Sequence, residues 1–144
     1  MAMRVFLAGI MQGSHLGNLV HDQGYREALR RLLVDHWPEA EVYDPFARHA
    51  MSVDYGLDQA RAVFEGHVEM CRHADLVVAF VPEASMGTGI EIWEAARHGR
   101  PVVAITPLIH NWVVLLTARA IYPDRDAFAA ALAAGDIDRL LAHG

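Results

Sequence analysis

The chain has 144 residues, of which 53% are hydrophobic and 21% charged, with a formal net charge of -6 at pH 7. That is enough apolar material for one globular core and too much for a disordered chain, and no apolar stretch is long enough to span a bilayer. The negative balance excludes a general affinity for nucleic acid polymers, while a nucleotide-sized ligand is still allowed.

Arg4 to Ala8 is predicted to be a first strand, followed by a small glycine-bearing loop, Gly9 to Ser14. Met1-Ala2-Met3-Arg4 runs straight into that strand without a targeting pattern, so a cytoplasmic location is expected. Between Asp22 and Trp37, Tyr25, Leu29, Leu32, Leu33 and His36 recur near helical spacing, and Pro38 helps to end the helix. Glu41-Val42-Tyr43 is a short strand broken at Asp44-Pro45, and His49 to Leu57 is irregular, a loop placed over the site. Asp58 to Ala74 is predicted to be a helix with Asp58 as its N-cap.

Leu76 to Val81 is apolar throughout, as befits a strand covered on both faces. A helix from Thr88 to His98 stops at Gly99, and Pro101 to Ile105 forms another buried strand. Trp112 to Leu116 is unusually apolar and fits either a subunit interface or an ordinary core helix, while Asp124 to Ala134 and Asp136 to His143 are short helices. Strands alternating with helices imply one α/β domain over residues 1–144, with a doubly wound parallel sheet in a flavodoxin-like or Rossmann-like three-layer sandwich.

Ligands of such a sheet bind at the carboxyl edge of its strands, where the loops after Ala8, Tyr43, Val81 and Ile105 converge. Gly87 and Gly89 let a ligand approach the main chain, Ser85 and Thr88 add small hydroxyls, and free amides at a helix start favour an oxygen-rich or anionic ligand. The same amides would keep Glu91 ionised, and an ionised carboxylate is a nucleophile. The plainer alternative makes the glycines a tight turn and Glu91 a dipole-complementing first-turn residue. Gly9 to Ser14 departs from the dinucleotide fingerprint, and neither glycine loop carries a Walker lysine, so redox-dinucleotide and phosphoryl-transfer chemistry rank low. Cys71 is the sole cysteine, which excludes an internal disulfide and a paired-cysteine zinc site. None of the nine histidines stands in a His-Glu-x-x-His arrangement, so neither a metal nor another cofactor is expected.

Three segments, Phe6-Leu7-Ala8-Gly9, Ala74-Asp75-Leu76-Val77-Val78-Ala79, and Ser85-Met86-Gly87-Thr88-Gly89-Ile90-Glu91 with Glu94-Ala95-Ala96 and Gly99-Arg100-Pro101-Val102, carry a likeness across most of Met3 to Asn111. On these the chain resembles the nucleoside 2-deoxyribosyltransferase superfamily, which includes nucleoside 5'-monophosphate N-glycosidases. The resemblance implies that Glu91 is a glutamate nucleophile forming a covalent sugar ester, with water or a second base completing hydrolysis or transfer. It implies a nucleoside or nucleotide substrate bound around Gly9, Gln12, Asp44, Ser85, Met86, Gly87, Thr88 and Gly89. It further implies a homodimer or higher homo-oligomer, with Asn111 reaching the neighbouring site.

Two departures stand out. His67 occupies the place of the family's helix aspartate, as a proton donor to the departing base, a hydrogen-bonding partner of Glu91 or a backbone-satisfied helix histidine. The first glycine loop has Gln12 and His15 where phosphate-binding relatives carry arginine, so phosphate specificity does not carry over. The segment Gly87 to Glu91 also resembles lysine decarboxylase-like phosphoribohydrolases, although their Pro-Gly-Gly-x-Gly-Thr turn is replaced by Ala84-Ser85-Met86 before the Gly-Thr. A non-catalytic nucleotide sensor is the third reading.

Overall fold

The computed structural model describes residues 2–10 and 22–144. Gln12, expected to contact substrate, and the rest of the first glycine loop beyond Ile10 lie outside the described residues.

The strands are β1 (Arg4–Gly9), β2 (Glu41–Tyr43), β3 (Leu76–Phe80), β4 (Val102–Ile105) and β5 (Ala120–Tyr122). They form one parallel sheet of five strands in the order β2-β1-β3-β4-β5. The helices are α1 (Gly24–His36), α2 (Pro45–Arg48), α3 (Leu57–His73), α4 (Met86–Arg97), α5 (Trp112–Thr117), α6 (Arg125–Ala133) and α7 (Asp136–Ala142), with a short 3-10 turn at Ser52–Asp54. This is the expected α/β sandwich.

Strand alternation sends side chains to two cores, one on each face of the sheet. Val5, Leu7, Leu76, Val78, Val103 and Ile105 pack with Leu29 and Leu33 of α1, Phe128 and Leu132 of α6 and Ile137 of α7. Phe6, Ala8, Val77, Ala79 and Val102 pack on the other face with Cys71 of α3 and Ile92 and Ala95 of α4. Cys71 is fully buried there, and burial pushes its thiol pKa up.

Local chemistry sets the helix ends. Asp44 accepts from Phe46 N at 2.9 Å and caps α2, and the irregular segment expected from His49 to Leu57 holds the 3-10 turn at Ser52–Asp54. Gly56, not Asp58, is the N-cap of α3, because the helix begins one residue before Asp58 and leaves that carboxylate in the first turn. Ser85 caps α4, which therefore starts two residues before the expected Thr88. Gly99 takes φ +73° just beyond α4, the left-handed geometry that favours glycine.

Candidate active site

The sheet order reverses between β1 and β3, where a crevice opens at the carboxyl ends of the strands. A cleft of about 750 Å³ lies there, in the size range of small-molecule sites. Gly9 ends β1 at its edge, the start of α4 supplies Ser85, Met86, Gly87, Thr88 and Glu91, α3 supplies His67 and Phe64, and the segment after α2 supplies His49, Ser52 and Tyr55. Seven of the expected site residues thus meet in one cavity: Gly9, His67, Ser85, Met86, Gly87, Thr88 and Glu91.

Ser85 Oγ donates to Thr88 Oγ1 at 3.0 Å and accepts from Thr88 N at 3.4 Å. This cap winds Gly87 and Gly89 into helix, and neither has a positive φ. Their value is therefore space rather than unusual backbone angles. A Cβ on Gly87 would meet nothing within 4 Å at the cleft, and one on Gly89 would touch only Val113 of α5, at 4.0 Å. Gly89 does not line the cleft.

Glu91 falls in the second turn of α4, beyond the strongest influence of the helix start. Its carboxyl has no hydrogen-bond partner among the described residues, and burial pushes its pKa up to about 8, opposed by the Arg26 guanidinium. The helix amides therefore do not keep it ionised as expected, because desolvation outweighs them. His67 Nε2 lies 3.1 Å from the Tyr43 hydroxyl, and its ring contacts Phe6, Tyr43 and His49 edge-on. Burial, with His49 and Arg26 nearby, lowers the His67 pKa to about 4, so the imidazole is neutral at pH 7.

Asp44 and Asn111 stand outside the cleft lining. Asp44 is buried, accepting from both Phe46 N and Arg26 Nη1. Asn111 caps α5, its Oδ1 accepting from Val113 N at 3.0 Å and Val114 N at 3.3 Å.

Arg26 is the residue that the sequence reading missed. It is 2% exposed, and its side chain reaches the cleft from α1. Nε donates to Gln23 Oε1 at 2.6 Å, Nη1 to Asp44 Oδ1 at 3.0 Å and Leu7 O at 3.4 Å, and Nη2 to Gly9 O at 3.0 Å. The available signal was its register: residues 26, 29 and 33 share one helix face, and the other two are buried leucines. His49 and Tyr55, joined by a 3.0 Å hydrogen bond on the cleft wall, were also missed inside a segment read only as a loop.

Among the described residues no group of three or more His, Cys, Asp and Glu side chains could hold a metal, and no helix is long and apolar enough to cross a membrane.

No family model matches the chain. A protein of Syntrophotalea carbinolica, provisionally named 2'-deoxynucleoside 5'-phosphate N-hydrolase 1, is 27% identical over 105 residues, covering 72% of this chain and 68% of the relative. Among solved structures, the 2-deoxyribosyltransferase of Bacillus psychrosaccharolyticus superposes with a TM-score of 0.65 at 18% identity, over 90% of this chain and 95% of that one. The Clostridium botulinum CMP N-glycosidase gives 0.52 at 20% identity, over 91% and 98%. The sheet shared with these two enzymes shows that the chain has the 2-deoxyribosyltransferase fold, and the Syntrophotalea protein is similar to it over most of its length.

Proposed function

We propose that the cleft binds a nucleoside or nucleoside 5'-monophosphate and cleaves its N-glycosidic bond. One observation carries this reading: the Glu91 carboxyl is presented into a ligand-sized cleft at the switch point, without a hydrogen-bond partner among the described residues. The named activities of the Syntrophotalea relative and of the two enzymes of the same fold support the same reaction class.

In the proposed reaction a Glu91 carboxylate oxygen bonds to C1' as the C1'–N bond breaks, and the bonding pair leaves with the base, which takes up a proton. Water then adds at C1', one of its protons is lost, and the Glu91 carboxylate is regenerated with release of the sugar. If a second base enters instead, its nitrogen takes the C1' bond and the outcome is transfer. His67, being neutral, offers the departing base a hydrogen bond rather than a positive charge. Gly9, Ser85, Met86, Gly87 and Thr88 enclose the sugar and its 5' substituent, while Asp44 acts from behind by holding Arg26.

The reading extends to the assembly. Trp93, Ile109, Trp112, Val113, Leu115 and Leu116, on or beside α4 and α5, are exposed, as is Met86 in the cleft lining. We infer that a second copy covers it and that Asn111, at the start of α5, approaches the neighbouring cleft.

The deciding experiment incubates the protein with nucleosides and their 5'-monophosphates, with and without a second free base, and follows products chromatographically. Free sugar or sugar phosphate identifies hydrolysis, a new nucleoside identifies transfer, and Glu91→Gln abolishes either while retaining ligand binding. Absence of base release across the panel overturns the proposal.

A further inference from the structure

Arg26 is an unusual residue for an interior. A guanidinium carries five N–H donors, is always charged, and is expensive to bury without partners. Here the carbonyls of Leu7 and Gly9, the Gln23 side chain and Asp44 take four of them. One Nη2 N–H is left without an acceptor among the described residues, in a side chain that lines the same cleft as Glu91. Three of those four partners belong to β1 and β2 or the residue directly after them, so the guanidinium is fixed to the carboxyl edge of the sheet. The lone carboxylate among these partners, Asp44, also caps α2 and is itself 8% exposed.

We propose that Arg26 is a positioning residue for Glu91: a cation anchored to the strand ends whose charge favours ionisation of the Glu91 carboxyl in the cleft, and whose remaining N–H orients that carboxylate once the proton has left. This rests on the reading of Glu91 as the nucleophile. It assigns to an arginine on the first helix the orienting task left open by His67, which is neutral and engaged with Tyr43.

The groups around Glu91 support the assignment. From α1 come Arg26 and Tyr25; from β2 and its end, Tyr43 and Asp44; from α3, His67 and Cys71; and from the segment after α2, His49 across the cleft. Tyr25, Tyr43 and Cys71 have pKa values pushed up, so all three are neutral near pH 7, as His67 is. Arg26 is the one neighbour that favours the Glu91 carboxylate over its acid form. A nearby opposite charge favours the ionised form of a carboxyl.

The test is a direct titration of Glu91 in the ligand-free protein by 13C NMR of carboxyl-labelled glutamate, assigned with Glu91→Gln. It is run on the wild type, Arg26→Gln, Arg26→Lys and Asp44→Asn. The expected result is a Glu91 midpoint about one pH unit or more higher in Arg26→Gln and largely restored in Arg26→Lys, with Asp44→Asn, which keeps the Arg26 charge, leaving the midpoint well below that of Arg26→Gln. A purely structural arginine gives another pattern, with lower melting temperatures in Arg26→Gln and Asp44→Asn alike and the Glu91 midpoint unmoved in every folded variant. That pattern overturns the proposal. Should Arg26→Gln not fold, Arg26→Met, which removes the charge but keeps an unbranched side chain in the interior, takes its place: a Glu91 midpoint raised by about one pH unit supports the assignment, and an unmoved one overturns it. The titration needs no turnover, so a protein that cleaves no nucleoside yet shows these shifts refutes the proposed reaction while retaining the role of Arg26.

Discussion

Two glutamates three residues apart on α4 show how environment decides chemistry. Glu94 turns away from the cleft, accepts from Arg72 Nε at 2.6 Å and Arg97 Nε at 2.8 Å, and those hydrogen bonds hold its pKa down at about 2. Glu91 is desolvated with only Arg26 in its favour, and titrates near 8. An enzyme that needs the Glu91 carboxylate therefore gains kcat/KM as pH rises through about 8, a limb that steady-state rates between pH 6 and 10 would reveal. Stability runs the opposite way. Below the ordinary 4.5 both folded and unfolded chains hold this proton, and between 4.5 and about 8 only the fold retains it. The protein accordingly loses up to about 1.4 kcal/mol per pH unit across that window from this group. Glu91→Gln removes the slope, so its melting temperature should match the wild type near pH 4.5 and exceed it at pH 8. The place of Glu91 after a buried strand and a glycine segment was legible in the sequence, but its protonation was not, because desolvation depends on the separate elements that close around the cleft. Arg26 was hidden for a related reason: a lone arginine reads as solvated until the acceptors that surround it are known.

At the scale of elements, the start of α4 is the part that sequence and structure describe differently. Glycines usually punctuate turns, so Gly87 and Gly89 suggested one, but the Ser85 cap begins the helix before them. Because Gly87 is helical and its missing Cβ faces open space, Gly87→Ala should stabilise the fold by up to about 1 kcal/mol while raising KM, since the methyl occupies the cleft. Thermal melts together with saturation kinetics check both signs. Ser85→Ala should cost about 1 kcal/mol through loss of the cap and lower kcat, because α4 carries Glu91. β5 escaped notice because Ala120-Ile121-Tyr122 is short and follows Arg119, with only its pairing to β4 marking it as a strand. The apolar runs of β1, β3 and β4 were legible because both of their faces are buried.

Across the whole molecule, the order β2-β1-β3-β4-β5 puts the two most informative segments, Phe6 to Gly9 and Ser85 to Glu91, on either side of the switch point. Alternation of strands and helices predicted that sheet without any contact being known. The surface was harder to read, since Trp112 to Leu116 suits a core helix as well as an interface. In the fold Trp112 is 78% and Leu116 74% exposed, an apolar surface of the kind that associating proteins cover. Trp112→Glu with Leu116→Glu should shift the protein to monomer by analytical ultracentrifugation and reduce activity. A wild type that sediments as a monomer at all concentrations would overturn the inferred assembly.

Cys71 offers a practical return. Sealed between α3 and the sheet with its thiol pushed up, it should stay silent toward alkylating reagents under native conditions. Because the chain carries no other sulfhydryl, Met51→Cys would give a single reactive handle next to the Ser52–Asp54 turn. A fluorophore attached there could report occupancy of the crevice in real time, without first mutating a competing thiol out of the interior.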